Sequence, residues 1–330
     1  MQTKILNIDE NSLNIAKNLI KNGDLVAFPT ETVYGLGANA FNDYAVKSIF
    51  KAKGRPADNP LIVHVHKDYD LSLLVDEIPD YAKILSKEFL PGPLTMVFKS
   101  KNKVSPAVSC GLNTLAVRIP SHKGAQEFLK CVNLPIAAPS ANVSKHVSPV
   151  TAEHVFYDLN EKIPLILNGG KCQGGIESTV LDCTGNVPCI LRSGLITCEM
   201  IAKIVGNCLI YKPKEGEQVR SPGMKYKHYS PKCKTELFTY EEIEKAKELY
   251  LKSIENGIKV YILCDDECAN LINVENLLNL GKTEEEIAAN LYDKLREGEN
   301  LADLIIAVAP KKQDGVMVGV MNRLSKACKS

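Results

Sequence analysis

Eight short apolar runs in the first 192 residues constrain the fold of this chain more than any other feature of the sequence. Short runs of this kind, bounded by turn residues or by helix-like patterns, are typical of strands. They are LVAF (25–28), LIVHV (61–65), LTMVF (94–98), LAVRI (115–119), PIAA (135–138), LIL (165–167), TVLD (179–182) and CILR (189–192). Because they alternate irregularly with helix patterns, they predict one sheet of mixed topology.

Two helices at the start of the chain can be placed from their caps and apolar spacing. The first begins near Asp9 and ends at Gly23, and its apolar face carries Leu13, Ala16, Leu19 and Ile20. The second covers Asp43 to about Lys51 behind the capping residue Asn42.

The pattern changes after residue 209, which predicts two domains. Residues 210–233 hold three prolines and have no apolar periodicity, so they are predicted to be a linker or a lid. Residues 234–330 alternate regularly: TELF, a helix over 240–256, KVYIL, a helix over 284–297, LIIAVA and a helix over 315–327. This order predicts a small, parallel, three-layer α/β domain of Rossmann-like type after an N-terminal domain of residues 1–209. A chain of 330 residues exceeds the ~250 residues at which single cores stop growing.

Composition excludes several classes of function. Lys and Arg number 40 against 39 Asp and Glu, so no overall positive field is present to hold RNA strongly or to bind a membrane surface. Eleven cysteines without a CxxC pair indicate neither a disulfide framework nor a zinc site, which fits a reducing cytoplasm. No apolar run approaches the ~18 residues of a membrane span, and the acidic N-terminus is unlike a signal peptide.

Two apparent nucleotide-binding motifs fail on their context. Gly35, Gly37 and Ala40 match GxGxxA, but the preceding strand ends seven residues before the first glycine instead of directly in front of it. The sequence GKT at 281–283 lacks the first glycine of a P-loop and is followed by three glutamates, so it is interpreted as a capped helix start. A metal site is not indicated either, because His64 and His66 are an isolated pair.

Polar signatures follow or precede most of the predicted strands. They are PTETVYG, KGRPADNP, AVRIPSH, APSANVSKHVSPVT, GGIEST and LRSG. Ligands of open α/β sheets bind at such strand-end loops. The signatures supply four cations and three small hydrogen-bonding side chains, namely Lys53, Arg55, Arg118 and Arg192 with Ser140, Asn142 and Ser178. This set predicts a site for a multiply anionic small molecule, with Lys53 and Arg55 as exposed cations.

The same motifs carry a family resemblance. PTETVYGLGANA, KAKGRPADNPLIVHV, PGPLTMVF, LAVRIP, APSAN, GGIESTVLDCT, LRSG and SPGMKYKHYSP resemble, in this order, the YrdC-like threonylcarbamoyl-AMP synthases in their long two-domain form. The similarity spans roughly residues 12–231, with a weaker match at VMNRLSKA. It implies a YrdC-like twisted mixed sheet in the first domain. It also implies ATP, L-threonine and bicarbonate as substrates, with threonylcarbamoyl-AMP, used in tRNA modification, and pyrophosphate as products.

The resemblance also implies roles for individual residues. Catalysis would involve Lys53, Arg55, Ser140 and Asn142, with Lys53 close to the reacting phosphate. Threonine would be bound by Thr32, His64, Arg118, Ser140 and Ser178. ATP would be bound by Arg55, Asn59, Thr114, Asn142, Val150, Arg192 and Tyr229. Mg²⁺ would arrive with ATP and be held mainly by phosphate oxygens, without a metal site of protein residues. The product would pass to a downstream tRNA threonylcarbamoyltransferase.

Two alternatives remain open at this point. The chain could be a non-catalytic RNA-binding module of YrdC-like fold, although its charge balance and the lack of interleaved aromatic residues disfavour strong RNA binding. It could also be an accessory domain of a carbamoyltransferase, although such domains occur in longer chains with zinc-finger cysteine pairs. The resemblance also implies that the motif SPGMKYKHYSP folds over the nucleotide, which predicts that the linker acts as a lid.

Overall fold

The computed structural model describes residues 2–212 and 229–328 and divides them into two compact units. The first contains 2–144, 149–173 and 177–212, and the second contains 145–148, 174–176 and 229–328. Most of the predicted linker, residues 213–228, lies outside the described residues. The second unit therefore includes two short segments from the middle of the chain as well as its C-terminal part.

The first unit contains seven helices and eleven strands among its described residues. The helices are α1 (Glu10–Lys21), α2 (Asp43–Lys53), α3 (Asp80–Phe89), α4 (Pro106–Ser109), α5 (Lys123–Val132), α6 (Ala152–Leu159) and α7 (Cys198–Val205). The strands are β1 (Lys4–Asn7), β2 (Val26–Phe28), β3 (Gly35–Asn39), β4 (Ile62–His64), β5 (Leu94–Lys99), β6 (Thr114–Arg118), β7 (Ile136–Ala138), β8 (Leu165–Asn168), β9 (Thr179–Asp182), β10 (Cys189–Arg192) and β11 (Leu209–Ile210).

These strands form one mixed sheet in the order β1-β8-β2-β3-β7-β4-β6-β5-β9-β10-β11. The pairs β4–β6 and β5–β9 are parallel, whereas β3–β7, β4–β7 and β5–β6 are antiparallel. The mixed topology predicted from the sequence is confirmed, and all eight predicted strands are present. The sequence did not predict β1, β3 and β11, because two of them are mostly exposed edge strands and the third is rich in glycine.

Local capping explains where the first two helices begin. The side chain of Asp9 accepts from Ser12 N at 2.7 Å and caps α1, and Asn42 Oδ1 accepts from Ala45 N and caps α2. The face of α1 that carries Ala16 and Ile20 packs into a core with α5 and the strands β2, β7 and β8. Both helix predictions are confirmed, with α2 extending to Lys53.

The second unit contains a four-stranded parallel sheet in the order β12-β15-β13-β14. Its strands are β12 (Lys234–Phe238), β13 (Val260–Cys264), β14 (Leu277–Asn279) and β15 (Leu304–Val308). Its helices are α8 (Ile243–Glu255), α9 (Asp266–Ile272), α10 (Glu284–Leu301) and α11 (Met317–Ala327). The predicted parallel sheet is confirmed, and α9 and β14 are additions to the predicted elements.

Helices cover both faces of this second sheet. Helices α8 and α9 pack against Ile262 and Ile306, which point to one face. Gly298 of α10 lies against Ile305, which points to the other face because successive side chains of a strand alternate. The predicted three-layer arrangement is confirmed.

Neither apparent nucleotide motif is a phosphate loop. Gly35–Asn39 is a strand, and a Cβ on Gly37 would lie 2.8 Å from Ile136 Cγ2, so this glycine is required for strand packing. Thr283 caps α10 in a capping box with Glu286, as the sequence indicated.

Candidate active site

The turn after β2 holds Thr32 in place through a chain of hydroxyl groups. The hydroxyl of Thr30 donates to Val33 O at 2.6 Å and accepts from the backbone N of Thr32 and of Val33. The hydroxyl of Thr32 lies 2.9 Å from that of Thr30, and Arg118 Nη1 donates to it at 2.8 Å. Thr32 is fully buried. The motif PTETV therefore forms a rigid turn that presents one hydroxyl and one acidic side chain to Arg118.

Arg118 is a buried cation with donor capacity to spare. Its side chain is 4% exposed, and its Nη2 lies 2.7 Å from Glu31 Oε1. This ion pair lacks the alignment of a hydrogen bond, and Arg118 Nε and Nη2 have no hydrogen-bond partner within the described part of the chain. Buried guanidinium nitrogens without partners are costly, so Arg118 is suited to receive a carboxylate or a similar anion.

His64 lies beside Arg118 and is uncharged at neutral pH. The parallel register of β4 and β6 pairs the two residues directly. Burial, helped by the positive charge of Arg118, lowers the pKa of His64 to about 3. Its Nδ1 lies 3.2 Å from Ile62 O, and its ring makes an edge contact with Phe28. His64 therefore acts as a neutral polar wall of the site and not as a further cation.

Ser178 and Arg192 form a second cluster on the neighbouring strands. The hydroxyl of Ser178 lies 2.8 Å from that of the fully buried Thr95, and Arg192 Nη2 donates to Ser178 O at 3.0 Å. Thr95 stands directly opposite Arg118 in the β5–β6 register. A Cβ on Gly194 would lie 2.4 Å from Thr179 N, so the motif LRSG needs its glycine to approach the start of β9.

The KxR and SxN motifs meet at Lys53. Lys53 Nζ donates to Ser140 O at 2.5 Å and to Asn142 O, and lies 3.4 Å from Asn142 Oδ1. The Ser140 hydroxyl donates to Asn142 Oδ1 at 2.5 Å. Lys53 is only 3% exposed and Arg55 is half-buried, so the prediction of exposed cations is wrong for Lys53 and holds only in part for Arg55. It ends α2 before the left-handed Gly54, and the folded helix carries it underneath the loop at 140–142.

The remaining predicted ATP residues lie in other parts of the first unit. Arg55 Nη2 donates to Asn59 O at 3.0 Å, and the buried Asn59 has an Oδ1 without a hydrogen-bond partner among the described residues. Thr114 begins β6, the strand that Arg118 ends, so the two residues are ~13 Å apart. Val150 is buried, and its carbonyl accepts from Cys172 N.

The structure brings most of the predicted residues together along adjoining strand ends of the first unit. Thr32, His64, Arg118 and Ser178 form one continuous set through Thr95. The loop that carries Ser140 and Asn142 is bonded to the chain two residues after Thr32, because Ala141 N donates to Tyr34 O. Tyr229 belongs to the second unit. The individual binding and catalytic roles of these residues stay predictions.

Glu31 and Thr95 are site residues that sequence reasoning missed. Glu31 lies within the PTETVYG motif, but nothing in the sequence shows which cation it pairs with. Thr95 is a polar residue within an apolar strand, and that position is a signal which could have been noticed.

Two further findings concern metal ligands and membrane spans. Within residues 2–212 and 229–328, no three or more His, Cys, Asp or Glu side chains are grouped so that they could hold a metal ion. No helix in this described part of the chain is long and apolar enough to cross a membrane.

Comparisons with known proteins identify the family of this chain. Residues 18–194 match the family model Sua5_yciO_yrdC, described as "Telomere recombination", and residues 196–328 match the model for the threonylcarbamoyl-AMP synthase C-terminal domain. The threonylcarbamoyl-AMP synthase of Pyrococcus abyssi is 42% identical over 97% of this chain and 95% of its own length. That of Bacillus subtilis is 42% identical over 98% of this chain and 95% of its own length.

A solved structure extends this similarity to three dimensions. Pyrococcus abyssi Sua5 complexed with L-threonine is 41% identical to this chain and superposes with a TM-score of 0.90, covering 99% of this chain and 98% of its own. The resemblance carried by the ordered motifs is thereby confirmed over both units. The chain belongs to the Sua5/YciO/YrdC family and, within it, to the two-domain threonylcarbamoyl-AMP synthases.

Proposed function

We propose that this chain synthesises L-threonylcarbamoyl-AMP from L-threonine, bicarbonate and ATP and releases pyrophosphate. The observation that carries the proposal is the continuous set of Thr32, His64, Arg118 and Ser178, in a chain whose close structural relative was solved with L-threonine bound. The set combines one cation, one neutral imidazole and hydroxyl groups. These are the donors that an amino acid with a free carboxylate and a hydroxyl requires.

Arg118 is the residue that selects for the threonine carboxylate. Its two nitrogens without hydrogen-bond partners in the described chain can donate to a second carboxylate in addition to pairing with Glu31. Glu31 partly neutralises the guanidinium before substrate arrives, which lowers the cost of keeping this cation buried. The neutral His64 beside it adds no charge, so the threonine amine can approach and lose a proton without electrostatic opposition from an imidazolium.

The reaction brings two anions together. The neutral threonine amine adds to carbon dioxide derived from bicarbonate and gives a carbamate, and the proton that the amine loses leaves with the hydroxide of bicarbonate as water. A carbamate oxygen then attacks the α-phosphorus of ATP, the bond to the β-phosphate oxygen breaks, and pyrophosphate leaves. The repulsion between carbamate and phosphate is the barrier that fixed cations lower, with each well-placed donor contributing about 3 kcal/mol. No covalent intermediate with the protein is needed.

Within this scheme the cations have different roles. Arg55 and Arg192 are proposed to face the phosphates, and Asn59, Thr114, Val150 and Tyr229 to contact the rest of the nucleotide. Lys53 holds the loop that carries Ser140 and Asn142, because its donors are directed at the oxygens of that loop. Its contribution to phosphate binding is therefore proposed to be mainly positional.

Magnesium is proposed to enter as part of the MgATP substrate. The site residues are cations, hydroxyls and amides, with Glu31 already paired to Arg118, and such a donor set does not form a Mg²⁺ cage. The ion would be held mainly by phosphate oxygens and would neutralise part of their charge.

A catalytic role is favoured over a non-catalytic RNA-binding module, since the curated relatives of nearly equal length are synthases. We propose that the labile product passes to a downstream enzyme that transfers the threonylcarbamoyl group to tRNA. We also propose a cytoplasmic location, because all eleven cysteines are free thiols, as expected in a reducing compartment.

The proposed function is tested by substrate omission. Purified protein should release pyrophosphate from MgATP only when threonine and bicarbonate are both present. Serine should react more slowly, because the loss of one methyl group from a fitted pocket costs about 1–3 kcal/mol. Equal pyrophosphate release without threonine would overturn the proposal.

A further inference from the structure

One face of helix α10 carries four residues that contact two segments from the middle of the chain and Tyr229. Ala288, Tyr292, Arg296 and Glu299 follow one another at intervals of four, four and three residues, so they lie on the same side of the helix. The segments that rest on this face are 145–148, 174–176 and Tyr229, all within the second unit. We call this set of four residues the α10 face.

The segment 145–148 is attached to the C-terminal end of the α10 face by buried polar contacts. Glu299 Oε1 and Oε2 lie 2.9 and 2.8 Å from His146 Nε2, and both side chains are at most 5% exposed. Arg296, also buried, donates to Val147 O. These contacts exclude water, so the position of the segment is defined by hydrogen bonds that solvent cannot replace.

The other two segments require unusual backbone conformations to rest on this face. Gly175 has a φ of +68°, and a Cβ there would lie 2.2 Å from Ala288 O, so only glycine fits. Tyr229 has a φ of +70°, which is rare for a bulky residue, and its ring stacks on Tyr292 at a centroid distance of 5.3 Å. Such conformations persist where surrounding contacts hold them.

The held segments are neighbours in sequence of the proposed substrate residues. Lys145 follows Asn142 by three positions, Ser148 precedes Val150 by two, and Ile176 precedes Ser178 by two. We propose that the α10 face fixes the backbone positions of these substrate residues, and that Glu299 and Arg296 are positioning residues for catalysis. This inference rests on the proposed function. Helix α10 would then preorganise the loop segments that connect directly to these substrate residues.

The test compares variants of the full chain by KM and kcat for both substrates. Glu299→Ala removes the acceptor for His146 and should raise the KM for threonine and for ATP about tenfold, because apparent affinity falls with the fraction of correctly placed loop. Glu299→Gln retains an acceptor and should stay within about threefold of the wild type. Asp265→Ala is the matched control, since Asp265 is a buried residue that caps α9 by accepting from Cys268 N and so belongs to another helix.

The split between KM and kcat separates positioning from stability. A variant that only unfolds more readily lowers the amount of active enzyme and so lowers kcat, while its KM values stay unchanged, as expected for Asp265→Ala. Glu299→Ala with both KM values within about twofold of the wild type overturns the inference. If that variant does not fold, His146→Asn removes the same contact from the loop side and is judged by the same criterion. A wild-type chain that makes no threonylcarbamoyl-AMP overturns the proposed function instead.

Discussion

Replacing Lys53 by methionine should destabilise the first unit as well as slow the reaction. The methionine side chain is close in length but has no donors, so Ser140 O, Asn142 O and Asn142 Oδ1 lose the partner that Lys53 Nζ gives them. A hydrogen bond to a charged group contributes about 1.5–3 kcal/mol, and an unsatisfied buried acceptor costs a similar amount. Since the acceptors share one donor, we expect a loss of about 3 kcal/mol in the unfolding free energy of this unit.

Lys51→Met is the matched control, because Lys51 lies on the same helix and is exposed. The assay is amide hydrogen exchange in β6 and β7, whose most protected amides report global unfolding of the unit. Turnover under saturating ATP is measured in parallel and should fall on the order of a hundredfold for Lys53→Met. If the amides of β6 and β7 are equally protected from exchange in Lys53→Met and in Lys51→Met, Lys53 does not hold the loop at 140–142 and the reasoning is refuted.

Three further outcomes follow from the site. His64→Gln should make the unfolding free energy less sensitive to acid. The pKa of His64 is about 3 in the folded chain and about 6.5 in the unfolded chain, so the unfolded state binds the proton first. In the wild type this lowers the unfolding free energy as the pH falls below ~6.5, by about 2 kcal/mol at pH 5. Equal slopes of stability against pH for variant and wild type would contradict this. Arg118→Lys should raise the KM for threonine by at least about tenfold, because lysine cannot contact Thr32, Glu31 and a substrate carboxylate together. An unchanged KM would remove Arg118 from the threonine site. Thr95→Val, an isosteric change, should weaken threonine binding several-fold because the Ser178 hydroxyl loses its hydrogen-bond partner. Threonine affinity is measured by calorimetry, with Ser178→Ala as the reference. Additive losses of affinity in the double variant would show that the two hydroxyls act independently.

Much of the fold could be predicted because the apolar runs and helix caps are local signals. The strand TVLD and the helix behind Asn42 depend on residues next to them in sequence, and both lie where they were expected. Strand β3 was missed because glycine is not typical of strands. Its glycines are required by close contacts with Phe28 and Ile136, and these contacts form only in the folded sheet.

The site was predicted as a set of residues but not as an arrangement. Residue types and strand-end positions were enough to choose Arg118 and Ser178, whereas Thr32 and His64 were chosen through the family resemblance. The burial of Lys53 could not be read from its neighbours, since Lys51 and Arg55 suggest an exposed charge run and only the folded helix brings Lys53 under Ser140. The pairing of Glu31 with Arg118 depends likewise on a contact between residues 87 positions apart in the sequence.

The central claim is that threonine is carboxylated before it is adenylated, and labelled bicarbonate tests it directly. The protein is incubated with MgATP, threonine and ¹⁴C-bicarbonate, and the adenylate is separated rapidly and counted against pyrophosphate. We predict one labelled carbon for each adenylate and each pyrophosphate formed. An adenylate that carries threonine without the label would mean that the threonine carboxylate itself attacks ATP, and would contradict the account.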